Sequence, residues 1–340
     1  MQTRPIGTTG ISLSEIAFGC GGNAGLMLRG EAREQERIVA RALDLGINYF
    51  DNAPDYGDGL AETNLGRVLK TLGKRPLLNS KVEIRQRDFG DIAGHVVASC
   101  EASLKRLGVD HLDVFQIHNG PSAIDPKIEG KVYTQLHIGQ FLGVSGAIEG
   151  IERLKRAGKI RLAGFICRGN DGAEVRQMLD TGLFHIINVR YTLLNPTAGM
   201  PKPDGFDWGR DFGDVITDAH SHGAGAAVYA PLAGGFLTDD AVAGRARHPL
   251  ARATDPASES ARKNIARAAQ FRFLADARGC SLAQAAYRFI LDHPGATTAL
   301  AGITTMEQLE EIVAAAKLPG LSDSEQSRLI QIWTENERSN

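Results

Sequence analysis

The sequence is poor in cysteine, and its few cysteines are far apart. Four occur among 340 residues, with no C-x-x-C pair and no histidine nearby at zinc-site spacing: Cys20, Cys100, Cys167 and Cys280. A disulfide framework and a structural zinc site are therefore not expected. Isolated reduced thiols are typical of a cytoplasmic protein, and residues 1–5 lack the apolar stretch of a secretory signal.

Long apolar runs and an excess of one charge are also missing. No stretch approaches the roughly 20 apolar residues of a transmembrane helix, so we expect no membrane partner. The formal net charge is only −2, with both signs interspersed, which argues against a nucleic-acid partner. The apolar fraction of 43% is that of a globular chain, which at this length can bury a large core.

Short apolar runs alternate with longer amphipathic segments along the whole chain. We predict eight strands, over 11–18, 47–50, 77–82, 112–117, 160–166, 186–191, 226–230 and 298–302. Helices are predicted between them, over 31–44, 62–72, 91–107, 148–157, 173–179, 211–222, 261–277, 281–292 and 307–316.

This alternation predicts an α/β fold, a single (β/α)8 TIM barrel over residues 1–340. Residues 1–12 form an N-terminal segment, and a last helix is expected at about 321–335. A doubly wound open sheet is the rival, but no G-x-G-x-x-G follows the first strand. Two long connections, 119–146 and 192–211, follow strands, so we expect them at the C-terminal face as substrate lids.

Polar side chains end three successive predicted strands. Asp51 closes the second strand and Tyr56 lies five residues later, while Lys81 and His118 close the third and fourth strands. Strand ends converge at one mouth of a barrel, so these four side chains are expected to meet. Singly, each has an ordinary explanation, such as a turn aspartate, a surface tyrosine, a snorkelling lysine or a core histidine.

The chemistry of the four is complementary. A free tyrosine has a pKa of about 10, and a neighbouring ammonium is expected to lower the pKa of Tyr56. Asp51 would hold Lys81 in place, and His118 can orient a carbonyl oxygen. The set predicts general acid–base catalysis, with Tyr56 as proton donor or acceptor for a carbonyl or alcohol substrate.

These segments resemble those of an aldo-keto reductase, most like the aldose and L-galactose dehydrogenase-like members. The resemblance is carried by GINYFDNAPDYG at 46–57, LAETNLGRVL at 60–69, NSK at 79–81 and LDVFQIH at 112–118. It extends to about Ala316. The family's catalytic Asp, Tyr, Lys and His fall on Asp51, Tyr56, Lys81 and His118. The resemblance implies a hydride exchanged between a nicotinamide and the substrate carbonyl carbon.

The resemblance also implies a set of cofactor-binding residues. Asn188 stands at the place of a glutamine that contacts the carboxamide, and Tyr229 would stack on the nicotinamide ring. The remaining positions follow the last two barrel strands: Pro231, Leu232, Gly234, Gly302, Thr304, Gln308 and Glu311. The chain departs from the family at Ile166-Cys167, where a polar pair is usual, and at Ile312, where asparagine is usual.

The cofactor implied is NAD or NADP, with a modest preference for NAD. Members that prefer NADP often carry a basic residue where this chain has Thr304, and Glu307, Glu310 and Glu311 add negative charge nearby. Two other functions stay open. One is a nicotinamide-binding barrel that acts as a regulatory or interaction subunit. The other is a metal-dependent barrel hydrolase, which the missing H-x-H after the first strand disfavours.

Overall fold

Eight parallel strands close into a barrel in the computed structural model, which describes residues 1–125, 135–252 and 255–335. In chain order the barrel strands are β1 (Ile16–Gly19), β2 (Tyr49–Asp51), β3 (Leu77–Val82), β4 (Leu112–Ile117), β5 (Ile160–Ile166), β6 (Phe184–Arg190), β7 (Gly225–Tyr229) and β8 (Ala296–Gly302). Each strand pairs with the next, and β8 pairs with β1. The closed barrel confirms the predicted TIM fold and excludes the open sheet.

Helices follow every barrel strand along the chain. The principal ones are Ala32–Asp44, Leu60–Leu72, Ile92–Leu107, Ala147–Arg156, Gly172–Asp180, Val215–Ser221, Glu259–Ala269, Leu282–Asp292, Met306–Ala314 and Asp323–Glu335. Shorter turns of helix lie at Leu26–Arg29, Gln86–Asp88, Ile138–Leu142, Asp239–Val242, Arg272–Asp276 and Ala315–Lys317. Among the described residues, no helix is both long and apolar enough to cross a membrane.

Local sequence accounts for the ends of several helices. The helix Leu60–Leu72 ends at Gly73, whose φ of 61° is left-handed and lets its N–H reach the carbonyls of the last turn. Asp91 begins the helix Ile92–Leu107 by accepting a hydrogen bond from the N–H of Gly94. Both residues lie at ends of the helices predicted over 62–72 and 91–107.

Three predicted elements differ from the structure by more than a shift of one or two residues at an end. The strand predicted over 11–18 is divided: Ser12–Ser14 pairs with Thr3–Pro5 in an antiparallel hairpin, and β1 begins only after Glu15. Glu15 forms an ion pair with Arg4 at 2.7 Å, so side-chain bonding redirects the chain at this point. The helix predicted over 211–222 begins at Val215. The helix predicted over 261–277 is two helices.

The two long connections are partly built from secondary structure. In the first, Gly120–Ser122 pairs in parallel with Gln135–His137 before a short helix; residues 126–134, which include Tyr133, lie outside the described residues. In the second, the guanidinium of Arg267 lies 4.4 Å from the centre of the Trp208 ring and anchors the connection to a helix. Both connections follow C-terminal strand ends, and their role as substrate lids stays a prediction.

Candidate active site

A buried ion pair joins the ends of β2 and β3. Lys81 Nζ donates hydrogen bonds to Asp51 Oδ1 at 2.6 Å and to the carbonyl oxygen of Asn52 at 2.8 Å. Only 1% of the Lys81 side chain and 4% of the Asp51 side chain are exposed. Removing either partner would leave a charge without compensation in a place that excludes water, so the two residues depend on each other.

A ring of amide side chains holds the other carboxylate oxygen of Asp51. Asn79 Nδ2 donates to Asp51 Oδ2 at 2.8 Å, and Asn188 Nδ2 donates to the same oxygen at 3.1 Å. Gln116 closes the ring, since its Nε2 donates to Asn188 Oδ1 at 2.8 Å and its Oε1 accepts from Asn79 Nδ2 at 3.1 Å. Gly164 leaves room for this amide, because a Cβ there would lie 2.9 Å from Gln116 Nε2.

Sequence reasoning missed Asn79 and Gln116 as parts of the site, although a signal was present. Asn79 lies two residues before Lys81, and Gln116 lies two residues before His118. Residues two apart in a strand point to the same face, so the pattern indicates a second layer of polar side chains below the mouth. The sequence offers no comparable signal for the contact of Asp55 with His118.

Tyr56 lies against Lys81 and His118. Its hydroxyl oxygen accepts a hydrogen bond from Lys81 Nζ at 3.4 Å, and its ring meets that of His118 edge-on, with centroids 6.1 Å apart. Burial, followed by the negative charge of Asp51, raises the pKa of Tyr56 well above its usual value. The expected lowering by Lys81 is therefore outweighed, and Tyr56 is a protonated phenol at neutral pH.

His118 follows β4 directly and is almost fully buried. Its Nδ1 lies 3.2 Å from Asp55 Oδ2, and its carbonyl oxygen accepts a hydrogen bond from Arg168 Nη2 at 2.5 Å. Burial, with help from the positive charges of Lys81 and Arg168, lowers the pKa of His118 to about 3, against the pull of Asp55. The imidazole is therefore neutral, and all four side chains singled out from the sequence lie together.

The loop after β7 carries several of the predicted cofactor residues. Tyr229 ends the strand and its hydroxyl donates to the carbonyl of Cys167 at 3.3 Å. Pro231 is buried, Leu232 is half-buried and Gly234 is exposed with a φ of 77°. A Cβ on Gly234 would meet no atom within 4 Å, so the backbone here is open to a ligand.

The segment after β8 is tied to the loop after β1. The hydroxyl of Thr304 donates to the carbonyl of Ala24 at 3.1 Å, and the Thr304 N–H donates to Gln308 Oε1 at 3.0 Å. Gly302 is exposed, and a Cβ there would lie 3.2 Å from Ala24 Cβ. Glu311 is half-buried on the following helix.

Gly21, in the loop after β1, packs against the ring of Tyr56. A Cβ on Gly21 would lie 3.5 Å from the Tyr56 ring, in contact with the phenol. The open backbone at Gly234 gives a phosphate chain room to approach the loop after β7. The described residues include no group of three or more His, Cys, Asp or Glu side chains that could hold a metal ion.

Comparison with known proteins identifies the family. The sequence profile of the Aldo/keto reductase family matches residues 15–334, and the chain belongs to that family. We therefore class it as an oxidoreductase that uses a nicotinamide cofactor on a carbonyl or alcohol substrate.

Its relatives span the same length. The chain is 28% identical to the NADH-specific methylglyoxal reductase of Escherichia coli, over 96% of each chain. It is 26% identical to L-galactose dehydrogenase of Arabidopsis thaliana, over 93% of this chain and 88% of the relative. It is also 26% identical to a probable voltage-gated potassium channel subunit beta of that plant, over 93% and 91%. A holo aldo-keto reductase structure from Bacillus halodurans superposes with a TM-score of 0.71 at 23% identity, covering 98% and 96% of the chains, which supports the fold.

Proposed function

We propose that this chain is a catalytically active NAD(P)-dependent oxidoreductase in which Tyr56 exchanges the proton with the substrate oxygen. The observation that carries the proposal is the position of Lys81 Nζ, which bridges Asp51 and Tyr56 inside the barrel mouth. A barrel that served only as a scaffold would gain nothing from a buried ammonium beside a phenol, because burying a charge costs stability.

Each residue at the barrel mouth has a separate role in the reaction. In reduction, the Tyr56 phenol donates its proton to the substrate oxygen as negative charge develops there. Lys81 stabilises the phenolate that remains, while Asp51 and the carbonyl of Asn52 hold the ammonium in position. His118 orients the substrate at the mouth. A bound nicotinamide supplies or accepts the hydride.

The cofactor would lie along the loops that follow β7 and β8. Tyr229 offers a ring for stacking, and the backbone of Pro231, Leu232 and Gly234 offers close approach to a pyrophosphate. At the adenosine end we assign Gly302, Thr304, Gln308 and Glu311. Asn188 would contact the carboxamide through the second hydrogen of Nδ2 or the second lone pair of Oδ1, since each atom makes one hydrogen bond within the protein.

We propose NAD as the better cofactor and a hydroxylated aldehyde or aldose as the substrate class. The Thr304 hydroxyl already donates to Ala24, so it is a weak partner for a 2′-phosphate. Two relatives, one named as NADH-specific and one as a sugar dehydrogenase, support this choice. Four free cysteines, three of them buried, support a cytoplasmic location.

A second candidate function is a nicotinamide-binding regulatory subunit. It is favoured by the similarity to proteins named as potassium channel beta subunits. The two candidates differ in turnover, since a purely regulatory subunit needs none.

The test is a turnover assay of the purified chain. Reduced nicotinamide absorbance is followed with methylglyoxal, aldoses and aromatic aldehydes. We expect turnover, and we expect Tyr56→Phe to lower kcat by at least about 10²-fold while cofactor affinity is retained.

The matched control is Tyr49→Phe, which removes a buried hydroxyl that has no hydrogen-bond partner among the described residues. Tyr49→Phe should keep its turnover. Native turnover in Tyr56→Phe would remove Tyr56 from the proton transfer, and no turnover on any substrate would favour the regulatory subunit.

A further inference from the structure

Two arginines bring positive charge to one side of the barrel mouth, and the first of them, Arg190, ends β6. Along β6, Ile186 belongs to an apolar cluster with residues of several other barrel strands, which can meet only inside the barrel. Asn188 also points inward, since it bonds to Asp51. Side chains two residues apart in a strand lie on the same face. Arg190 is therefore the next inward-facing residue, at the mouth itself.

The guanidinium of Arg190 has no partner within the protein. The residue is exposed, and its side chain makes no hydrogen bond or ion pair with any other residue that the structure describes. Its neighbour in the register of β6 and β7 is Tyr229, which ends the adjacent strand. A guanidinium has five N–H donors in a planar fork that matches a carboxylate or a phosphate, and it stays charged at any physiological pH. The barrel mouth thus presents an unused group suited to an anion.

Arg168, two residues after the end of β5, brings a second positive charge to the same side of the mouth. This half-buried residue is fixed by its neighbours, because its Nη2 donates to the carbonyl oxygen of His118 at 2.5 Å and its own carbonyl accepts from Arg210 Nη1 at 3.1 Å. Burial raises the pKa of Tyr229, and the positive charges of Arg168 and Arg190 oppose that rise. Both guanidinium groups therefore act on the same phenol.

Two acidic residues near these strand ends are bonded to other groups. Asp51 is held by Lys81 and by the ring of amide side chains. Asp171 is buried, and it accepts hydrogen bonds from the backbone N–H groups of Arg168 at 2.8 Å and of Gly169 at 3.0 Å. Neither carboxylate contacts the guanidinium of Arg190, so the positive charge of Arg190 stays available to a ligand.

We propose that Arg190 binds a carboxylate or phosphate group of the substrate, and that the positive charge of Arg168 strengthens the attraction. In the barrel of eight strands, β6 lies opposite β2, the strand that Tyr56 follows. One substrate is then held at two places, with the reacting oxygen at Tyr56 and the anionic group at Arg190. The substrate class is an aldehyde, or the corresponding alcohol, that carries a negative charge. This class rests on the proposed oxidoreductase function, whereas anion binding at Arg190 does not.

The cofactor is the other source of a phosphate at the barrel mouth. The residues proposed for its pyrophosphate follow β7, and those proposed for its adenosine end follow β8, whereas Arg190 lies on β6. The substrate is therefore the favoured source of the anion, and titrations with both ligands distinguish the two sources.

The first test measures anion binding without turnover. Glycerol 3-phosphate and glycerol are titrated calorimetrically into the full chain, with and without NADH. These ligands and NADH are all reduced, so no hydride is transferred. We expect glycerol 3-phosphate to bind more tightly than glycerol, and Arg190→Gln to weaken its affinity by at least about tenfold. Arg190→Lys keeps the charge but not the planar fork, so its affinity should be intermediate.

Two outcomes of the titrations would overturn the proposal. Equal affinities for glycerol 3-phosphate in the native chain and in Arg190→Gln would exclude Arg190 from anion binding. An equally large loss of NADH affinity in Arg190→Gln would assign the guanidinium to the phosphates of the cofactor instead of the substrate.

The second test compares substrates that differ by one anionic group. Turnover is measured for glyceraldehyde 3-phosphate against glyceraldehyde and for succinic semialdehyde against butanal. We expect the native chain to have the higher kcat/KM for the anionic member of each pair. Arg190→Gln should lower the ratio of the two kcat/KM values by about tenfold, mainly through KM, because a hydrogen bond to a charged group is lost. Equal losses on both members of a pair would indicate a merely structural role and would contradict the proposal.

The matched control is Arg156→Gln, at the last residue of the helix Ala147–Arg156. The Arg156 side chain is 69% exposed, so this variant removes the same charge from the surface. The helix runs back from the mouth, so its end lies at the opposite face of the barrel. Its affinities and its substrate ratios should stay native. If the native chain turns over none of the aldehydes, the proposed function fails, while the titrations still decide the anion site.

Discussion

At the scale of single residues, Lys81 is the side chain that joins the other groups of the barrel mouth through its hydrogen bonds. Its ammonium has three acceptors: Asp51 Oδ1, the carbonyl of Asn52 and the hydroxyl of Tyr56. Three acceptors match the three donor hydrogens of an ammonium. This satisfied geometry explains how a lysine with only 1% of its side chain exposed can stay in the barrel mouth.

The first residue-scale prediction concerns the charge of that lysine. Burial and the negative charge of Asp51 raise the pKa of Tyr56. The Lys81→Met substitution removes the ammonium that contacts both Asp51 and Tyr56. The pKa of Tyr56 should therefore rise further, and a group with a higher pKa loses its proton only at higher pH. We expect the rising limb of kcat/KM for alcohol oxidation to move to higher pH by at least about one unit.

The measurement is the pH–rate profile in the oxidising direction. Lys70→Met, at an exposed position on the helix Leu60–Leu72, is the control and should keep the native profile. An unchanged profile in Lys81→Met would show that Lys81 and Tyr56 are not coupled.

At the scale of elements, one carboxylate ties β3, β4 and β5 together. Asp113, the second residue of β4, accepts hydrogen bonds from the N–H of Leu78 at 2.9 Å, from Arg75 at 2.8 Å and from Arg161 at 3.0 Å. Burial opposes its charge, but the Leu78 N–H and Arg75 bonds keep the pKa of Asp113 below its usual value. The strands around the active-site side chains are thus held in register by a charged bond at their beginnings.

We predict that Asp113→Asn lowers the free energy of unfolding by about 2 kcal/mol at neutral pH. The guanidinium groups of Arg75 and Arg161 lose a charged acceptor. Both groups are partly exposed to solvent, which limits the loss of stability. Because the pKa of Asp113 is lower when folded, its contribution is present above the unfolded pKa of about 3.9 and is lost as pH falls through the folded value.

Denaturant unfolding at several pH values measures this effect. The difference between native and variant stability should narrow below about pH 4. Asp110→Asn, at an exposed position before the strand, is the control and should cost little. A difference that does not depend on pH in the acid range would contradict the role of the Asp113 charge.

At the scale of the whole molecule, three loops meet at the mouth of the barrel. Arg29 donates to the carbonyl of Gly22 at 2.7 Å and, through Nε, to that of Leu250 at 2.9 Å. The N–H of Arg252 donates to the carbonyl of Asn23 at 2.8 Å, and Thr304 donates to Ala24. The loops after β1, β7 and β8 are therefore connected, and a ligand that contacts all three should stabilise the folded chain as a whole.

We predict that NAD raises the Tm at least as much as NADP at equal concentration. A ligand that binds only the folded state stabilises it by RT ln(1 + [L]/Kd), so the shift in Tm reports affinity. Exposed Glu307 lies in the first turn of the helix Met306–Ala314 and should repel a 2′-phosphate more than a 2′-hydroxyl. Glu307→Gln should then improve NADP affinity relative to NAD.

The Tm of the chain, measured with NAD and with NADP at equal concentration, shows which cofactor binds better. Glu101→Gln, at an exposed position on the helix Ile92–Leu107, is the control and should leave the ratio of the two affinities unchanged. NADP binding about tenfold tighter than NAD, or about 1.4 kcal/mol, would contradict the preference.

The sequence by itself determined the barrel and the four side chains at its mouth. Burial of alternating strands and helices imposes short apolar runs and amphipathic periods, and these are visible without coordinates. Because parallel strands of a barrel end at one face, the order of Asp51, Lys81 and His118 along the chain already implied that they meet. The boundaries of β3, β4 and β5 were predicted correctly from the same short apolar runs.

Only the tertiary structure decided how those side chains are charged and held. The upward shift in the pKa of Tyr56 comes from burial by residues distant in sequence, and no local pattern records it. The hydrogen bonds of Asn188 to Asp51 and of Asp55 to His118 join residues 137 and 63 positions apart. The ion pair of Glu15 with Arg4, at the division of the predicted first strand, likewise joins residues that no local pattern connects. Hydrogen bonds and desolvation act through space, so they are set only when the barrel closes.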